Sequence, residues 1–130
     1  MNEMKILPEI IKKVGFDFRW DVKKVWELKY QAEKIDIKEL EWHFNVPFWN
    51  TNDGYYDLKP SQVINNKEKF REEYERTMKA DLSHPIDIME NKGKLLILDG
   101  LHRLVKAKIL GHSKVNVRKI PRAEINNIGK

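Results

Sequence analysis

The chain has no cysteine. That excludes disulfides, a thiolate nucleophile and cysteine-ligated zinc or iron–sulfur centres. It also lacks any long apolar run, so the pattern holds no membrane-spanning helix. Repeats, low-complexity tracts and a Pro/Gly-rich linker are missing too, and 130 residues suit one domain. The opening residues "MNEMKILPEIIKKVGF" mix acids and lysines with apolar residues, so they predict an amphipathic helix rather than a signal peptide. The expected location is the cytoplasm. What is present suffices for a core: 41% of residues are hydrophobic, and the 35% that are charged are interspersed rather than blocked.

Charge is unevenly distributed. Asn91 to Arg122 holds nine basic residues and one acid, a balance of +8, whereas Met1 to Glu90 holds fifteen basic and eighteen acidic, a balance of −3. A basic third on an acidic remainder suggests an anionic partner: a nucleotide, a nucleic acid or a phosphorylated metabolite. The competing reading is a solvated, lysine-rich face.

The periodicity predicts helices over "ILPEIIKKV" and "WDVKKVWEL", the second capped by Asp21 with Val22, Val25 and Trp26 on one side. "EKIDI" reads as a short strand, "DIKELEWHF" as a short helix opened by Asp36, and "LKPSQVI" as an extended piece with a turn. A helix capped by Asn65 or Asn66 follows, with Phe70, Tyr74 and Met78 on one face. "HPIDIME" and the apolar "KLLIL" read as a hairpin, the second strand central because it is apolar throughout. "LHRLVKAKIL" is a helix with Leu101, Leu104, Val105 and Ile109 inward and a glycine cap at Gly111. "KVNVRKIP" is a last strand and "RAEINNIGK" a loose tail. Leu95 to Ile120 thus reads as a βαβ crossover, and the class as α/β or α+β with a small mixed sheet and flanking helices. Residues 1–57 form an expected helical, aromatic-rich extension packed on the core, 58–122 the core and 123–130 the tail.

The junction "LDGLHR" carries the chemistry. A strand ends, Gly100 allows a sharp turn without a Cβ, and a helix starts with unpaired amides and the positive end of its dipole. His102 and Arg103 lie in that first turn, where cations are mildly unfavourable, so they are expected to serve a ligand. Arg103 can fork onto two phosphate oxygens, and His102 can donate a hydrogen bond or move a proton. Asp99 stands where ligands gather in open sheets. It could hold a divalent metal, accept a substrate proton or only cap the helix. Gly100, Leu101, His102 and Arg103 are therefore the expected phosphate-binding turn, with Asp99 and His102 as the catalytic candidates and Asp99 as the metal candidate.

The run "HPIDIMENKGKLLILDGLHRLVKAKILGHSKVNVRKIP", with "LKPSQVI" before it, resembles the ParB/sulfiredoxin-like superfamily: a Pro-Ile strand, a hairpin, a glycine-containing box ending in His-Arg, a helix, a Leu-Gly cap and a valine-rich strand. The likeness covers Leu58 to Pro121, and "EWHFNVPFW" and "ERTMKADLSHPIDIM" further resemble a branch of short bacterial proteins. The resemblance implies a nucleotide ligand (ATP, ADP or CTP) with Mg²⁺, phosphates held by Gly100, His102 and Arg103, and Asp99 near the metal or acceptor. Sulfiredoxins carry a cysteine where Leu101 stands, so their chemistry is excluded here. Partition ParB proteins have a Glu-Arg-Arg box and continue into a helix-turn-helix domain, whereas this chain ends soon after the last expected strand. The "DGLHR" form is closer to the kinase-like members, for which Glu41 and Asp36 are candidate bases.

Three functions are thereby expected in competition: a nucleotide-dependent phosphotransferase or hydrolase, a nucleic-acid-binding module or nuclease, and a regulatory interaction domain without turnover. Glu39 and His43 have i, i+4 spacing, but two ligands alone are a weak metal signal. Asp81, Ser83 and His84 are too close in sequence for a triad. Trp42, Phe44, Phe48 and Trp49 read as core packing, with a base-stacking lid as the sharper idea, and Lys106 is expected on the side of His102.

Overall fold

The computed structural model describes residues 8–129. Four strands, β1 (Ala32–Asp36), β2 (Ile86–Asn91), β3 (Lys94–Asp99) and β4 (Lys114–Lys119), form one mixed sheet in the order β1-β4-β2-β3. Six short helices flank it: α1 (Glu9–Lys13), α2 (Val22–Glu27), α3 (Pro60–Asn65), α4 (Arg71–Met78), α5 (Leu101–Ile109) and α6 (Ile125–Ile128). The domain is α+β, as the element pattern implies. No described helix is long and apolar enough to cross a membrane. The helix expected over the opening residues is seen as α1; its part over residues 1–7 lies outside the described residues.

Two topological expectations are corrected. β4 pairs in parallel with β2, and β3 pairs antiparallel with β2 on the far side. The parallel crossover therefore runs from β2 through β3 and α5 to β4, not from β3 to β4. β3 is consequently an edge strand rather than a central one. Its apolar run reflects cover on both faces: Ile97 belongs to the cluster under α3 and α5, and Leu98 to one with Val25, Met89, Ile120 and Ile128. That second cluster corrects the tail as well. Ile128 is fully buried, and the Asp21 amide donates to its carbonyl at 2.7 Å, because the far face of the sheet needs an apolar cover. "LKPSQVI" likewise forms α3, started by Pro60 at the first helical position, where its missing N–H costs nothing. Trp26 points outward while its neighbour Val25 is buried. The helix α5 ends as expected: Gly111 has φ +83°, and His112 and Gly111 amides donate back to Ala107 and Lys108 carbonyls.

An edge strand leaves backbone groups unpaired, and two side chains from the N-terminal half close this one. The Trp20 indole donates to the Leu98 carbonyl at 3.0 Å, at the bulge between Asp87 and Ile88 of the partner strand. The Ile97 amide donates to His43 Nε2 at 3.1 Å. The other His43 nitrogen, Nδ1, lies 2.8 Å from the Leu40 carbonyl, which can only accept. His43 is thus neutral with its proton on Nδ1, and neither nitrogen is left for a metal, which removes Glu39–His43 as a ligand pair. Around it Phe16, Trp42 and Phe48 stack and cross, so the aromatic segment is core.

Burial pushes the His43 imidazole down to about 4. An unfolded chain protonates this histidine near pH 6.5, so between those values the unfolded state binds more protons and stability rises with pH. The stabilisation is complete above about pH 6.5 and is lost as pH falls to about 4, a total of about 3 kcal/mol at ~1.4 kcal/mol per unit. Denaturant titrations at pH 7 and pH 4.5 should show that loss. His43→Leu should lack this part of the pH dependence while losing about 1–3 kcal/mol at pH 7, because the Ile97 amide is left buried without an acceptor. A variant as acid-sensitive as the parent would show that another group titrates.

Candidate functional site

β3 delivers Asp99 to its carboxyl end, and the chain turns at Gly100 with φ +112° before α5 begins. A Cβ at Gly100 would lie 2.9 Å from an Arg103 guanidinium nitrogen and 3.3 Å from the Ile86 Cα, so the corner has room only for glycine. No side chain caps α5, which leaves its first-turn amides without a side-chain acceptor. In front of this corner opens a cleft of about 590 Å³, bordered by Trp26, His84, Asp87, Asp99, Arg103 and Arg118.

The strand register builds the cleft floor. Asp87 faces Asp99 across β2–β3 and Arg118 across β2–β4. Arg118 Nε donates to Asp87 Oδ1 at 2.6 Å, and its terminal nitrogens donate to the Leu28 and Val25 carbonyls at 2.6 and 3.0 Å. Those carbonyls end α2, where a cation is favoured. Arg118 is therefore fully committed and anchors α2 over the cleft. The same helix presents Trp26, 57% exposed, whose indole donates to Asp99 Oδ2 at 2.8 Å. Arg103 donates to the Pro85 carbonyl at 3.0 Å and lies 3.6 Å from Asp99 Oδ2, which offsets the cost of a cation at a helix start. The two arginines and two aspartates cancel formally. The cleft therefore carries no excess formal charge from these four side chains.

His102 points elsewhere. Successive helical residues project about 100° apart, so Arg103 faces the cleft while His102 faces α4. Its Nε2 lies 2.6 Å from Glu73 Oε2, and its ring stacks on Trp49 at 4.6 Å and 14°. Glu73, with its side chain only 9% exposed, also accepts from Arg76 at 3.0 Å. Glu73 in turn borders a wide cleft of about 970 Å³ between the Asn50–Tyr55 loop and α4. The side chain of Leu101 joins the core and an apolar pocket of about 260 Å³ beside Phe16 and Trp20. The structure thus brings Asp99 and Arg103 to one cleft, with Gly100 in the turn between them, and neither His102 nor the Leu101 side chain joins them.

The remaining candidates are placed as follows. Glu41 and Asp36 pair with Lys108 and Lys114 at 2.7 and 3.2 Å, away from the corner. Ser83 donates to Asp81, and His84 lies 3.6 Å from the same carboxylate on the cleft rim. Lys106 reaches the Ala80 carbonyl near the end of α4. Among the described residues no group of three or more metal-ligating side chains converges. Asp87 is committed to Arg118, and Asp99 Oδ2 accepts from the Trp26 indole, so among the described residues Asp99 stands as a single carboxylate with no second side-chain ligand beside it.

Sequence reasoning missed Trp26, Asp87, Arg118 and Glu73. A signal existed for Glu73 alone, an acid three residues after Phe70 on the inward face of its helix. The basic third proves largely paired: Lys92, Lys108, Lys114, Arg118 and Lys119 bridge to Asp17, Glu41, Asp36, Asp87 and Glu33, all from the acidic part of the chain. No family model, curated protein or solved structure matches the chain.

Gly100→Ala should destabilise the domain by about 1–3 kcal/mol, from the strained φ and the displaced Arg103 guanidinium. Thermal unfolding checks this, and unchanged stability would mean that the turn does not require glycine.

Proposed function

We propose that the protein binds a nucleotide-type phosphate ligand at the corner between β3 and α5. One observation carries the reading: an open cleft of about 590 Å³, within the usual size of ligand sites, is lined by Asp99 and Arg103, which flank the glycine turn into α5, and by an exposed indole. In this reading the α5 amides and the Arg103 fork hold phosphate oxygens, the base lies against Trp26, and Asp99 offers an oxygen to Mg²⁺. The likeness of Leu58 to Pro121 to ParB/sulfiredoxin-like proteins supports the same ligand class. The reaction class that the same likeness supports is phosphoryl transfer or nucleotide hydrolysis. Internal pairing of the basic third removes the feature that favoured nucleic acid.

Calorimetry against ATP, ADP, CTP and GTP with Mg²⁺ tests the proposal. Arg103→Ala should weaken binding at least about tenfold, by loss of a charge-assisted contact, and Trp26→Ala should weaken it by about 1–3 kcal/mol. His102 faces α4 rather than this cleft, so His102→Ala should leave nucleotide affinity unchanged. Absence of heat with every nucleotide would overturn the reading.

A further inference from the structure

A second cavity lies against the first. It measures about 200 Å³, sits between α5, the Leu82–Ile86 segment and the start of β4, and shares Arg103 and His84 with the cleft before the corner. Its chemistry differs sharply. Lys34, His84, Arg103, His112 and Lys114 line it over a buried apolar floor, and no carboxylate lines it. Two acids stand outside on the rim: Asp36 holds Lys114, and Asp81 lies beside His84. Lys34 and His112 have no side-chain partner among the described residues, although most cations of the basic third are paired.

The fold gathers these groups from four places. Lys34 comes from the β1 edge, His84 from the approach to β2, Arg103 from the first turn of α5, and His112 and Lys114 from the connection into β4. Antiparallel pairing sets Lys34 opposite Asn116 and Lys114 opposite Asp36, so the lysines share one sheet face. A pocket lined by Lys34, Lys114, Arg103 and two imidazoles, with no carboxylate in its lining, favours an anionic ligand.

We propose that this pocket is an oxyanion site that takes a phosphate group, with Arg103 bridging it to the neighbouring cleft. The inference deepens the nucleotide reading but rests on it only for the shared Arg103; the pocket has its own donors. Its phosphate has two possible sources of the same chemistry: the terminal phosphate of a nucleotide whose base lies against Trp26, or a separate phosphorylated molecule.

The test titrates inorganic phosphate and pyrophosphate into the full chain, following His84 and His112 ring signals by NMR. Both signals should shift together, with an affinity that falls as salt rises. Lys34→Ala/His112→Ala removes only exposed groups, so it should fold normally and bind pyrophosphate at least about tenfold more weakly, followed by calorimetry. Shifts that spread over the whole surface, or equal affinity in the variant, would overturn the site. Competition separates the sources: displacement of pyrophosphate by ATP and not AMP assigns the pocket to a nucleotide's terminal phosphates, and simultaneous binding assigns it to a second molecule. Pyrophosphate binding without any nucleotide binding would keep this site and sink the nucleotide reading. Nucleotide binding without localised pyrophosphate binding would do the reverse.

Discussion

The guanidinium of Arg118 holds the functional end of the molecule together. It is mostly buried, bonded to Asp87 in the neighbouring strand and to two carbonyls at the end of α2. A buried charge of this kind is tolerable only when its donors are met, and removing one partner from such a pair costs about 3–5 kcal/mol. The parallel β2–β4 register brings Asp87 and Arg118 together, and the carbonyls that Arg118 donates to fix α2. From that helix Trp26 reaches Asp99, and Asp99 marks the corner where α5 begins. One ion pair thus links sheet topology to the wall of the cleft.

Charge pairing shapes the surface in a second way. Along the chain the acids and bases are segregated, but the fold interleaves them. Most of these bridges are exposed and individually worth at most about 1 kcal/mol. Their collective effect is to pair five of the nine cations of the basic third with acids from the rest of the chain. Beside the formally balanced cleft lies a small pocket with basic side chains and no carboxylate in its lining. The proposed compact phosphate ligand needs only such local donors, whereas an extended nucleic-acid backbone needs a continuous basic track.

The N-terminal half supplies what the sheet cannot. β3 has one strand neighbour, so His43 and Trp20 close its outer edge, and the aromatic segment packs around them. His43 is the clearest case of a residue whose type suggests chemistry and whose environment forbids it. Both nitrogens serve the backbone. His102 differs in kind: one nitrogen meets Glu73, the ring lies on Trp49, and the group remains partly exposed.

Much of the architecture was legible in local pattern. The strands at Ile86–Asn91, Lys94–Asp99 and Lys114–Lys119, the helix from Leu101 to Ile109 and its Gly111 cap follow from period, turn chemistry and capping, which act over a few residues. The Asp-Gly corner was legible for the same reason. Strand order, the edge position of β3, the burial of Ile128 and the divergence of His102 from Arg103 were decided by tertiary structure. Each depends on which surfaces meet across long sequence separations, and apolarity alone does not name its partner. The partners of the site residues, Glu73, Asp87, Trp26 and Arg118, belong to that second group. A charged or aromatic side chain shows its chemistry in the sequence, but only packing determines what it faces.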